Sequence, residues 1–151
     1  MIVKHWGHAR FNRKLFKPVK NRWTKPEGGF WGSPVDSCYS WWHWNQETHL
    51  RSLENLPSFM FELNGKILTI KSKEDLVGLP IYKLGPQYTG SDEQLKQFYE
   101  KFDDMLWLDF ESIANEYDAI LFIANAETQH ILVGWDCDSV LVLNPDCVEE
   151  L

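Results

Sequence analysis

The sequence predicts an α+β fold, and three observations lead there. Apolar segments of strand length alternate irregularly with capping signals for short helices. The 151 residues have the length of one domain able to bury a single core. Their 44% hydrophobic and 25% charged content is that of a globular chain.

Ile2–Trp6 reads as a first strand, ended by Gly7. Residues 8–26 have no clean period and contain Pro18 and Pro26, so they read as an irregular, exposed basic loop. Gly28-Gly29-Phe30-Trp31-Gly32-Ser33-Pro34 reads as a very short strand between two turns. Between Asp36 and Leu56 a helix is expected, with Trp41, Trp44, Thr48 and Arg51 at helical spacing, ending before Pro57. Ser58–Leu63 and Lys66–Lys71 flank Asn64-Gly65, which suits a type I′ hairpin turn because both central residues need positive φ.

Ser72 with Asp75 resembles a capping box opening a short helix through Val77, stopped by Gly78 and Pro80. Ser91 with Gln94 forms a second box, opening a helix over 92–104 with Leu95, Phe98, Tyr99 and Phe102 as its apolar stripe. Asp109 can cap a third helix carrying Phe110, Ile113, Ala114 and Tyr117 on one face. The unbroken apolar run Ala119–Ala124 predicts a buried strand, and His130–Trp135 and Ser139–Asn144 read as two more. With no internal repeat, linker or low-complexity stretch, 1–151 form one domain.

Composition narrows the function classes. No apolar run approaches the ~18–20 residues that span a bilayer, and Met1–Arg10 is too polar for a signal-peptide core. Three cysteines, Cys38, Cys137 and Cys147, provide no disulfide framework and point to reduced thiols in a cytoplasm. Residues 1–26 hold eight basic residues and no carboxylate, against seven basic and all 22 acidic residues in the remainder. Such a stretch suits a phosphate-bearing ligand or nucleic acid, or simply pairs with the acidic body on folding. The net charge of −7 argues against broad nucleic-acid binding.

Among the candidate chemistries, zinc would draw on His5, His8, His43, His49 and Cys38, but Cys38 has no partner at ligand spacing. Cys137 lies between two aspartates that oppose a thiolate, leaving Cys38 the better nucleophile without any residue to single it out. There is no G-x-S-x-G elbow, P-loop or G-x-G-x-x-G fingerprint.

Aromatic residues are the outstanding feature. Six of the eight tryptophans fall in the first 44 residues, more large rings than a core needs so close together in sequence. In Lys25–Trp44 paired glycines admit a ligand close to the backbone, Trp31 offers a stacking surface, and Ser33 lies on the same side of the strand. The combination suits a planar heteroaromatic ring. The alternative is that Trp31 packs inward and the glycines serve turns only.

The order of these features resembles the ADP-ribosyltransferase family, in the branch of poly-ADP-ribose polymerases and diphtheria toxin. His5-Trp6-Gly7 matches the early strand whose histidine and adjoining small residue hold ribose and the nicotinamide amide. Gly29-Phe30-Trp31-Gly32-Ser33 is similar to the family's glycine–apolar–aromatic–x–small strand, with Trp in place of the usual Tyr. A helix over Ser37–Leu56 follows as the family requires. Gly65–Ile70 with Ser72, Asp75 and Leu76, and then Tyr117–Ile120, resemble later segments.

The resemblance implies split antiparallel sheets with short helices around a cleft for NAD as co-substrate, and mono-ADP-ribosyl transfer to a macromolecular target. It implies His5 and Gly7 at ribose, Trp31 on nicotinamide, Ser33 beside it, and Lys25 with Arg22 at pyrophosphate or target. Proteins of this kind are often phage-borne and act on host proteins or nucleic acids. The family's glutamate, at the start of the next-to-last strand, is missing from Gln129-His130-Ile131-Leu132. Asp136 is the first candidate replacement and Glu127 the second, with Asp138 close by, unless the acidic segment is only a tight turn. The missing glutamate favours a non-catalytic relative that binds a nucleotide or host protein, as a phage inhibitor of host defence would. A nucleic-acid module using Arg10–Lys25 and Trp23 is a third class, and it requires strongly salt-dependent binding.

Overall fold

The computed structural model describes residues 1–22, 24–82 and 106–151. The expected helix over 92–104, and Trp23, lie outside the described residues. The strands are β1 (Ile2–Trp6), β2 (Phe30–Pro34), β3 (Ser58–Leu63), β4 (Ile67–Ile70), β5 (Ala119–Phe122), β6 (Ser139–Val142) and β7 (Val148–Glu150). Among the described residues the α-helices are α1 (Trp41–Thr48), α2 (Phe110–Ile113) and α3 (Ala126–Ile131).

In place of two separate sheets there is one seven-stranded sheet, ordered β4-β5-β6-β2-β1-β3-β7. Every pairing is antiparallel except the parallel β4–β5. Strand β2 makes the sheet continuous by changing partner along its length. Phe30, Trp31 and Gly32 pair with β6, whereas Ser33 and Pro34 pair with β1. At the changeover the backbones press together. A Cβ on Gly32 would meet Val3 Cγ1 at 2.5 Å and the Lys4 carbonyl oxygen at 2.9 Å. Gly32→Ala therefore forces β1 and β2 apart, at an expected cost of about 1–3 kcal/mol. A urea-unfolding midpoint equal to that of the wild type would show that the strands have room to spare.

Alternation along β5 and β6 sends side chains into two cores, since both faces of this part of the sheet are covered. Leu141, Ile120 and Phe122 join Ile70, Phe110, Ile113, Leu132 and Trp135 on one side. Val140, Val142 and Ala119 join Val3, Phe61 and Leu63 on the other, so the β1–β3 part of the sheet packs back over the β5–β6 part. This double burial explains why β6 is buried at every position and lacks the polar alternation of a half-exposed strand.

The predicted Asn64-Gly65 hairpin does not form. β3 pairs with β1 and β7, and β4 pairs with β5. Asn64 does not adopt the positive φ that a type I′ turn demands, although Gly65 does at +146°. The Asn64 amide instead donates to Cys147 O at 2.9 Å, and the Lys66 amide to the Asp118 carboxylate at 2.8 Å. These bonds direct the chain across to β5, where Ile67–Ile70 gain Ala119–Phe122, buried at every position but Leu121, as partner.

The predicted strand His130–Trp135 is also corrected, because its first residues finish helix α3. Asn125 caps that helix, its side chain accepting from the amides of Glu127 and Thr128. The helix end then delivers Leu132 and Trp135 to the core. Other local signals hold, including the Ser72–Asp75 capping box and the Asp109 cap on α2. Within 36–56 the helix is shorter than expected, since His49 adopts a left-handed conformation at φ +53° and stops it. The basic loop is partly anchored by buried Val19 and a Lys20–Glu27 bridge. No helix among the described residues is long and apolar enough to cross a membrane.

Candidate functional site

The site forms where β1 and β2 meet. A carbonyl only accepts hydrogen bonds, so His5 Nδ1–H must donate to Trp31 O, at 2.7 Å. That leaves His5 Nε2 to accept from His8 Nδ1, at 2.9 Å. The His5 ring also stacks on Phe30, with centroids 4.3 Å apart. Burial lowers its pKa, the bond to Trp31 partly offsets this, and His8 adds to the lowering. His5 is therefore a neutral, oriented imidazole.

The His5–Trp31 contact divides two clefts of about 260 Å³ each. On one side lie Phe11, Phe16 and Phe30 with Arg10 at the margin. On the other, Trp6, Trp31 and Trp41 surround a space that also receives Lys25, Arg51 and Ser139. Trp31 is held by its indole N–H, which donates to Gly28 O at 3.2 Å, and by Trp135, 5.0 Å away between centroids. Trp44 stacks on one face of Trp41 at 5.0 Å and fixes that ring.

Lys25 lies over the Trp31 ring, Nζ 4.5 Å from the centroid, and donates to Gly134 O at 3.3 Å. Desolvation there lowers the ammonium pKa, while the neighbouring Cys137 and Asp136 act in the opposite direction. A ligand ring stacking on this face of Trp31 must meet or displace the ammonium.

Of the predicted residues, His5, Trp31 and Lys25 thus line one cleft. Gly7 does not line it. Gly7 ends β1 with φ +118°, its amide donating to Pro57 O at 2.7 Å. Ser33 is fully buried, and its hydroxyl accepts from the Trp41 amide at 2.9 Å, anchoring the start of α1. Asp136 is exposed, with an electrostatic influence that reaches Lys25. Glu127 is exposed and ion-paired to Lys73 at 3.6 Å, lining neither cleft. Arg22 pairs with Glu27.

Because α3 replaces the expected strand, the next-to-last strand is β6, and its first residue, Ser139, reaches the cleft. Its hydroxyl donates to Cys137 O at 2.8 Å. The adjacent Asp138 carboxylate accepts from Ser37 Oγ and the Ala124 amide, both at 2.8 Å, and so ties the loop before α1 to the end of β5. Neither supplies a free carboxylate. Burial pushes the Cys137 thiol up, which opposes a nucleophilic role, and exposed Cys38 lines neither cleft. Among the described residues no group of three or more His, Cys, Asp or Glu is placed to hold a metal ion.

Sequence reasoning did not single out Trp6, Trp41, Arg51 or Ser139 as lining residues. The basic arm is partly spent on ion pairs, Arg13 with Asp146 and Lys20 with Glu111. Arg10, Lys14 and Lys17 have no ion pair among the described residues. Compared with models of known protein families, with curated proteins and with solved structures, the chain matches none.

Proposed function

We propose that the chain binds a nucleotide in the cleft of Trp6, Trp31 and Trp41, with NAD the first ligand to test, and that it acts by binding alone. The carrying observation is the lining itself. Three indoles and two cations converge there, with no carboxylate among the described residues, a combination suited to an aromatic base attached to phosphate. The resemblance to ADP-ribosyltransferases supports NAD. Ser139 at the head of β6, where that family carries its glutamate, favours a non-catalytic relative such as a phage inhibitor of host defence.

Mono-ADP-ribosyl transfer to a host protein or nucleic acid is the second reading. It is favoured by Asp136, whose charge is felt at Lys25 beside the cleft. In that reading the Asp136 carboxylate faces the oxocarbenium-like charge that develops as nicotinamide leaves.

NAD labelled in its adenylate moiety, titrated into the protein and incubated with lysate, separates the two. Saturable binding with no label transfer and no released nicotinamide is the expected outcome. Label transfer abolished by Asp136→Asn would establish the enzyme instead. Folded protein that binds no nucleotide at all would sink both.

A further inference from the structure

Resting on the reading that this cleft takes a nucleotide, we infer that its ligand is a mononucleotide, the base stacked on Trp41 and the phosphate held by Lys25 and Arg51. Three observations converge on this. The first is size. At about 260 Å³ the cleft falls just short of the roughly 300–1,000 Å³ that encloses a drug-sized ligand, so it suits one base with its sugar and leaves a second nucleoside outside. His5 and Trp31, joined by their hydrogen bond, line both this cleft and its neighbour.

The second is charge. Lys25 and Arg51 line the same small space, and among the described residues no carboxylate does. Arg51 forms no ion pair among the described residues, and the Lys25 ammonium spends one of its three donors, on Gly134 O. Both cations therefore keep donors for an anion, and a guanidinium grips phosphate oxygens in pairs.

The third is the division of labour among the rings. Lys25 already covers the Trp31 face, so Trp31 positions the cation. The Lys4 ammonium lies 5.2 Å from the centroid of the Trp6 ring. Among the described residues no cation lies over Trp41, and Trp44 braces it from one side. Trp41 is the ring best placed to take a base.

The test is calorimetric titration with each ribonucleoside 5′-monophosphate, its parent nucleoside, nicotinamide mononucleotide and NAD. One monophosphate should bind at least about tenfold more tightly than its nucleoside, as a charge-assisted contact requires, and no more weakly than NAD. Lys25→Ala combined with Arg51→Ala should reduce it to the level of the nucleoside, while Lys25→Arg retains most of the difference. Equal affinity for nucleoside and monophosphate, with binding intact, would overturn the phosphate assignment and leave the nucleotide cleft standing. NAD binding well above every mononucleotide would overturn the one-nucleotide limit. If nucleosides, mononucleotides and NAD all fail to bind protein with an unchanged melting curve, the underlying nucleotide reading falls with this one.

Discussion

Trp135→Ala is expected to cost about 3–5 kcal/mol of folding stability, the range for truncating a large buried ring. Trp135 is 1% exposed, and its indole N–H donates to Thr24 O at 2.8 Å. The ring packs between Trp31, Phe110 and Phe122, with centroids 5.0, 6.0 and 5.2 Å away. Its removal leaves a cavity where the sheet, α2 and the Lys25 segment converge, and it strands a buried carbonyl. A domain of this size has about 5–15 kcal/mol in total, so the variant would lose a large share. Trp135→Phe keeps most of the volume but not the hydrogen bond, and should fall between the two. Urea unfolding of the three proteins measures this. A loss under about 1 kcal/mol for the alanine variant would mean that Trp135 does not hold the core together.

Trp41→Ala should weaken nucleotide binding roughly tenfold to hundredfold, the equivalent of about 1–3 kcal/mol for one base–aromatic stack. Its melting temperature should move little, because Trp41 is only partly buried at the start of α1 and belongs to neither core cluster. This separation of affinity from stability makes Trp41 a cleaner probe than Trp31. Trp31 packs against Trp135 and the first core, so Trp31→Ala would lose stability as well as the seat of Lys25. Unchanged affinity in Trp41→Ala would move the stacking surface to Trp6 or Trp31.

Part of the cleft was legible in the sequence. Gly28–Ser33 announced a short strand with a ring, and His5, Trp31 and Lys25 do share one cleft. Their proximity follows from β1 and β2 pairing as neighbours, with Lys4 opposite Ser33. Ser33 illustrates the limit of such reasoning. Strand alternation places it on the same side as Trp31, but its burial and its bond to the Trp41 amide are long-range events.

What the sequence determined by itself was local: where chain direction changes, which residues cap, and which runs are apolar enough to be strands. Asp109 and the Ser72–Asp75 pair show this, since a capping side chain and its amide partner lie three residues apart. Tertiary structure decided the partners. Asn64-Gly65 is a good hairpin turn in isolation, yet the buried surface that β5 offers β4, and the Asp118 acceptor for the Lys66 amide, outweigh it. Local backbone preference at one residue amounts to about 1 kcal/mol, whereas burying a single large apolar side chain contributes about 1.5–3 kcal/mol. The same inequality makes Trp41 and Arg51 walls of a cleft shared with Lys25, across a stretch of chain over which no local preference acts.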